Sequence, residues 1–106
     1  MARIAKRLAQ TALSSSVISV VTSGTASTTQ IVEVYISNTG TTSRTLTFYT
    51  NGTASTNTII TGLAVSGTSS VILEDKKIIL GLSEVFYAKQ DAGADVVITC
   101  YGVEES

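Results

Sequence analysis

Six glycine-containing turn signals divide this sequence into short segments that are rich in β-branched and aromatic residues. They recur 12 to 16 residues apart, a little wider than the spacing of about 8–12 that is usual in sandwiches and barrels. Glycine supplies the positive φ that tight turns use. The turns are centred on Gly24, Gly40, Gly52, Gly67, Gly81 and Gly93. The regular spacing of these turns predicts a chain of short β-strands.

Between the turns, side chains alternate with a period of two, which is the pattern of a sheet with one buried face. In the segment Gln30–Ser37, the residues Val32, Val34 and Ile36 are predicted to share one side. The opposite side then carries Ile31, Glu33 and Tyr35. The last segment likewise sets Val97, Thr99, Tyr101 and Val103 against Val96, Ile98 and Cys100.

The segments together predict about eight short strands. They are Val17–Thr22, Gln30–Ser37, Arg44–Thr50, Thr58–Val65, Ser70–Leu73, Lys77–Leu80, Glu84–Lys89 and Asp95–Val103. A hairpin turn is expected at Asp91–Asp95 and a charged turn at Glu74–Lys77. We therefore predict an all-β fold, a two-sheet antiparallel sandwich that is jelly-roll-like.

The N-terminal segment leaves two alternatives open. Residues 1–16 are expected to form an arm or a short helix, and residues 17–106 the β-sandwich domain. A helix would place Ile4, Leu8 and Ala12 on one face, whereas an extended arm would lie against a neighbouring subunit. The basic start lacks the continuous apolar stretch of a signal peptide, so we expect a chain that is made in a cytoplasm and not processed.

The net charge and the residue types present argue against several classes of function. The net charge of −1 predicts no nucleic-acid partner and no membrane partner. The sequence has no histidine to activate a nucleophile and no phosphate-binding loop. A lone cysteine, Cys100, allows neither an intrachain disulfide nor a metal site and is predicted to be buried. The carboxylate pairs Glu74/Asp75, Asp91/Asp95 and Glu104/Glu105 fall in predicted turns or at the terminus. We expect no catalytic residue, no cofactor and no metal.

The surface composition favours contact with other proteins. Charged residues make up only 14% of the chain, compared with about 25% in typical domains. Proline, which blunts exposed sheet edges, is absent, so the edges must be short, charged or occupied. The basic N-terminus and the acidic Glu104 and Glu105 are either solvated ends or charges that pair between subunits. The candidate contact residues are Arg3, Lys6, Arg7, Glu33, Tyr35 and Arg44.

Several segments, taken in order, resemble a known family. Val34–Gly40 leads into Ser43–Tyr49, whose Arg-Thr-Leu-Thr-Phe-Tyr run is the most distinctive piece. Asn57–Ile60 and Glu84–Lys89 follow, and the match ends at Asp95–Glu104. Together these segments, across about residues 30–104, resemble small β-sandwich virion structural proteins of tailed bacteriophages.

The resemblance implies a subunit that assembles, often as a trimer, on a phage particle. Its implied partners are copies of itself and other virion proteins such as the major capsid protein. A head decoration or cement subunit is expected first, and a neck, collar or tail-fibre component second. A carbohydrate- or host-surface-binding module is the remaining alternative, with Tyr35, Tyr49, Tyr87 and Tyr101 as candidates. No catalytic residue carries over.

Overall fold

The computed structural model describes residues 3–74 and 77–106. In these ranges the chain forms nine strands and one short 3-10 helix, Ser55–Asn57. The strands are β1 (Arg3–Ala12), β2 (Ile18–Thr22), β3 (Thr28–Asn38), β4 (Arg44–Thr50), β5 (Thr58–Val65), β6 (Ser70–Leu73), β7 (Ile78–Leu80), β8 (Val85–Gln90) and β9 (Val96–Glu105). The described residues include no helix long and apolar enough to cross a bilayer.

The strands form two antiparallel sheets that pack face to face. The larger sheet has the order β1-β9-β3-β6, with β7 also paired to β3, and the smaller has the order β2-β8-β4-β5. The pairs are nested along the chain: first strand with last, second with next to last, and so on inward. This nested order of strand pairing is the topology of a jelly roll. The predicted fold class is therefore confirmed.

The core lies between the sheets and is built from the inward positions of the strands. Phe48 of β4 and Phe86 of β8 are fully buried, and their rings meet edge to face at 5.3 Å between centroids. Val96, Ile98 and Cys100 of β9 close the core from the larger sheet, as their alternation predicts. Burial raises the pKa of the Cys100 thiol to about 12, so this thiol behaves as a small apolar side chain.

In β3, the prediction of which side chains share a face is correct from Glu33 onward and wrong at Ile31 and Val32. Val34 and Ile36 are buried, but the residue buried with them is Ile31, and Val32 lies half-exposed beside Glu33. The pairing with β9 jumps from Ile31 to Glu33, which leaves Val32 as the extra residue of a β-bulge. A bulge resets the alternation by one residue, and period-two reasoning has no means of anticipating it.

The helical alternative for the N-terminal segment is wrong. Residues from Arg3 to Ala12 form β1, which pairs along its length with β9 of the same chain. The sheet provides the hydrogen-bond partners and packs Leu8 and Ala9 against the core, whereas a helix this short is marginal alone. Residues 3–12 are thus a strand of the sandwich, and residues 1 and 2 lie outside the described ranges.

The charges at the two ends of the chain meet within one molecule. Pairing of β1 with β9 brings Lys6 Nζ to 3.2 Å from Glu104 Oε1, and Arg3 Nη1 to 3.8 Å from Glu105 Oε2. Both pairs are solvent-exposed, so each adds little stability. They nevertheless provide the terminal cations with partners inside the chain.

The expected hairpin at Asp91–Asp95 is wrong, because this segment crosses between the sheets. It leaves β8 in the smaller sheet and enters β9 in the larger one. A jelly roll joins most successive strands in this way, and local turn chemistry does not distinguish a hairpin from a crossover. Of the charged turn expected at Glu74–Lys77, Asp75 and Lys76 lie outside the described residues.

The sheet edges are short, charged or distorted, three features that protect an exposed edge without proline. In the larger sheet β6 and β7 are short, and β1 carries Arg3, Lys6 and Arg7 and a bulge after Arg7. In the smaller sheet β2 is short and bulged, and β5 contains Gly62 at a φ of 71°. These features make strand-to-strand addition at an edge unfavourable, so contact surfaces are better sought on the sheet faces.

Candidate interaction surface

Arg44, one of the predicted contact residues, is engaged inside the chain. It begins β4 in the smaller sheet, and its Nε and Nη2 atoms donate to Asp95 Oδ1 and Oδ2 at 3.0 and 3.2 Å. Asp95 precedes β9 of the larger sheet, so this two-bond pair ties the sheets together at one end of the sandwich. A Cβ at Gly40 would overlap the Asp95 carboxylate, which explains why glycine occupies that turn.

Two buried amides complete this end of the molecule. The fully buried Gln90 donates to Ala92 O at 2.6 Å and to Asp95 Oδ1 at 2.9 Å, and its Oε1 accepts from Val96 N at 3.1 Å. Asn38 donates to the carbonyls of Thr42 and Val65 at 2.8 and 3.1 Å. Across the described residues, every buried side-chain nitrogen or oxygen has a partner. We call Asn38, Arg44, Gln90 and Asp95 the polar clamp.

The polar clamp predicts how stability depends on pH. Hydrogen bonds from Arg44 and then Gln90 hold the pKa of Asp95 below its usual value. A carboxyl whose pKa is lower in the folded state stabilises the fold above its unfolded pKa, near 4, and loses that contribution as the pH falls through the folded value. We expect the urea midpoint of the wild type to fall more than that of Asp95→Asn between about pH 5 and about pH 2. If the urea midpoints of the two proteins fell by the same amount, the pH dependence could not be assigned to Asp95.

Three of the other predicted contact residues, Arg7, Glu33 and Tyr35, cluster on the outer face of the larger sheet. One row across three strands runs Arg7, Tyr101, Glu33, because Tyr101 of β9 pairs with Arg7 on one side and Glu33 on the other. Directly opposed residues of an antiparallel sheet place their side chains on the same face. The next row contains Gln10, Thr99, Tyr35 and Ile72. We call Arg7, Gln10, Glu33, Tyr35, Thr99 and Tyr101 the tyrosine face.

Two bulges flank the centre of the tyrosine face. The extra residue is Leu8 in β1 and Val32 in β3, and both sit next to the pairing of Tyr101. Bulges increase the local twist and change where side chains point. Here they keep Arg7 and Glu33 level with Tyr101 on the outside while Leu8 turns toward the core.

The side chains of the tyrosine face contact one another. The rings of Tyr35 and Tyr101 meet edge to face, with centroids 5.6 Å apart at 88°. Tyr35 donates its hydroxyl to Glu33 Oε2 at 3.4 Å, and Gln10 Nε2 donates to Thr99 Oγ1 at 3.3 Å. The nearby charge of Glu33, more than any other cause, raises the pKa of the Tyr35 hydroxyl. The β3 side of the face is therefore electronegative.

Exposed apolar groups accompany these polar ones. Tyr101 is 41% exposed, Ile72 51% and Ile79 64%. Ile72 is level with Tyr35, and Ile79 pairs with Gln30, which is level with Val103. Half of the large apolar side chains that are exposed in the described residues thus lie on one face, a distribution typical of interaction sites.

The structure places the predicted contact residues in three settings. Arg7, Glu33 and Tyr35 meet on the tyrosine face. Lys6 lines a shallow groove beside it, together with Val32, Tyr101 and Gly102, and Arg3 lies farther along the same strand. Arg44 belongs to the polar clamp. The contact prediction omitted Gln10, Thr99 and Tyr101, although the alternation of the last segment had already placed Thr99 and Tyr101 on one side.

The four tyrosines proposed for sugar binding do not form one site. Tyr35 and Tyr101 lie on the tyrosine face, whereas Tyr49 and Tyr87 pair with each other in the smaller sheet, where Tyr49 is buried. Of the carboxylate pairs, Asp95 belongs to the polar clamp and Asp91 accepts a hydrogen bond from Ala92 N. In residues 3–74 and 77–106, no three His, Cys, Asp or Glu side chains are grouped to hold a metal ion.

Comparison of the chain with models of protein families, with curated proteins and with solved structures found no match.

Proposed function

We propose that this protein is a structural subunit of a tailed-bacteriophage virion that works by protein–protein contact. Made in the cytoplasm of the bacterial host, it assembles with copies of itself, as a trimer, and with other virion proteins such as the major capsid protein. The first placement is head decoration or cement, and the second is the neck, collar or tail. The subunit performs no catalysis and needs no cofactor.

The tyrosine face is the observation that carries this proposal. Its central strand, β9, is paired with β1 on one side and β3 on the other. The face combines exposed Tyr101 with Arg7 and Glu33, two charges that have no ion-pair partner within the described residues. Aromatic residues and arginine are the types enriched at protein interfaces. The jelly roll also recurs among viral capsid domains, which supports the proposal by analogy of fold alone.

Quantitative mass spectrometry of phage particles tests this role. Particles would be induced from the bacterium that carries the gene, purified, and the copies of this chain counted against the major capsid protein. Comparable numbers are the expected result and indicate head decoration, whereas a small fraction indicates a neck or tail component. Absence of the chain from particles that contain the other structural proteins would refute the virion role.

A second candidate function rests on the same surface. Gln10, Glu33, Tyr35, Thr99 and Tyr101 line a shallow concavity, which combines aromatic rings with hydroxyl, amide and carboxylate groups. Such a lining suits a saccharide, whose C–H faces pack on aromatic rings and whose hydroxyls bind polar groups. Lectin domains also use the jelly roll. A glycan array should then show binding that Tyr101→Ala abolishes and Tyr87→Ala retains, and an array without any signal removes this candidate.

A further inference from the structure

The charges of the tyrosine face are arranged around a centre. Arg7 and Glu33 flank Tyr101 in one row, each one strand away from it. Among the described residues, the side chain of Arg7 bonds to Gln10 alone, at 3.3 Å, and that of Glu33 to the Tyr35 hydroxyl alone. Neither charge is in an ion pair within the described residues, in contrast to Arg3, Lys6 and Arg44. The face thus has a positive side, an aromatic centre and a negative side.

We propose that the tyrosine face binds the same face of a second copy, with a two-fold axis lying along β9 above Tyr101. The contact pairs Arg7 with Glu33 of the partner subunit, and by symmetry it does so twice. The inference rests on the self-association part of the proposed function and describes a two-fold contact, which is separate from the contacts that would form a trimer. It is independent of the placement in the virion.

The geometry of the row produces this pairing. The two-fold axis lies in the interface plane and runs parallel to the strands. It therefore reverses the left-to-right order of the strands in the second copy, but it leaves the position of each residue along its strand unchanged. Arg7 therefore faces Glu33 of the partner subunit, and the two copies of Tyr101 meet at the axis. Sheets pack about 10 Å apart, a gap that an arginine side chain spans, and a guanidinium can bind a carboxylate through two parallel hydrogen bonds.

The neighbouring rows are compatible with the same axis. Reversal places Tyr35, whose hydroxyl donates to Glu33, opposite the amide of Gln10 of the partner subunit. It also places Val103 on its own symmetry mate at the axis. The axis keeps Arg7 and Glu33 away from their own symmetry mates and opposite each other, which is the electrostatic complementarity that selects one register. It also brings Glu105 of β9 onto its own symmetry mate, and each copy of Glu105 lies beside Arg3 of its own chain.

The area of the tyrosine face determines how strong the contact between two copies is expected to be. A strand of ten residues spans about 33 Å and four neighbouring strands about 19 Å, so each copy offers roughly 600 Å². A standard interface buries about 800 Å² on each partner. The contact should therefore be reversible and sensitive to its central charge pairs. A trimer would use a different surface, since a two-fold contact joins two copies only.

Charge reversal in trans tests the contact. Sedimentation velocity over a range of concentrations should show the wild type dimerising. Arg7→Glu and Glu33→Arg, each alone, should weaken dimerisation at least about tenfold because like charges then face each other. An equimolar mixture of the two variants should dimerise again, because both pairs then join opposite charges, one pair with its native sign and the other with its sign reversed. Lys89→Glu, on the smaller sheet opposite Thr47, is the control and should leave dimerisation unchanged.

Three outcomes would overturn the inference. The first is failure of the mixture to regain dimerisation although circular dichroism shows both variants folded. The second is an oligomer that neither charge reversal affects; the proposed self-association would then stand and use another surface. The third is a wild type that stays monomeric at every concentration, which also removes self-association in solution. The count of copies in particles remains a separate test of the virion role.

Discussion

Replacing Gln90 by alanine is expected to lower the free energy of unfolding by about 3 kcal/mol, because a fully buried amide with three partners disappears. Gln90 donates to Ala92 O and to Asp95 Oδ1, and it accepts from Val96 N. The substitution leaves a cavity and a buried backbone N–H without a partner at the start of β9. Urea unfolding at neutral pH measures the change.

Two further variants separate the causes of this loss. Gln90→Met keeps most of the volume but not the hydrogen bonds, so it should lose about 2 kcal/mol. Gln10→Ala makes the same chemical change on the exposed tyrosine face, where Gln10 donates to Thr99 and accepts from Arg7, both at 3.3 Å, and it should lose less than about 0.5 kcal/mol. Equal losses at positions 90 and 10 would show that the polar clamp does not hold the sheets together.

Gly102→Ala is expected to destabilise the fold by about 3 kcal/mol, at the upper end of what added volume costs in a packed core. Gly102 lies in β9 between β1 and β3 and pairs with Ile31 at the bulge. A Cβ there would overlap the carbonyl oxygen of Gln30 and come within 2.8 Å of Leu8 Cδ1. The carbonyl belongs to a strand that is paired on both sides, so it has little freedom to move away.

The effect of Gly102→Ala should extend to binding. The residue follows Tyr101, so widening the gap between β9 and β3 also separates Tyr101 from Glu33 and should weaken the proposed dimer. Gly24→Ala is the control, because its added Cβ meets only Ser27, at 3.3 Å from Oγ, and a side-chain hydroxyl can rotate away. A Gly102→Ala protein with wild-type stability would show that β9 can be displaced without loss.

Glycine inside a strand pattern often marks a bulge or a close backbone approach, and Gly102 marks both. The alternation of the last segment was nevertheless sufficient to place Val96, Ile98 and Cys100 in the core. The same reasoning failed at Val32 because the bulge in β3 resets the alternation there. A one-residue bulge leaves no periodic signal of its own, so its position depends on which strand lies opposite.

The sequence by itself determined the all-β class, eight of the nine strands and the inward residues of β9, because alternation and turn chemistry act over a few neighbouring residues. The tertiary structure decided which strands are neighbours. Arg7 and Tyr101 lie at opposite ends of the chain, and only the pairing of β1 with β9 brings them together. It also decided the role of Arg44, whose partner Asp95 belongs to a segment that crosses between sheets. Contacts between distant residues follow from how two sheets close around one core, and no local pattern encodes them.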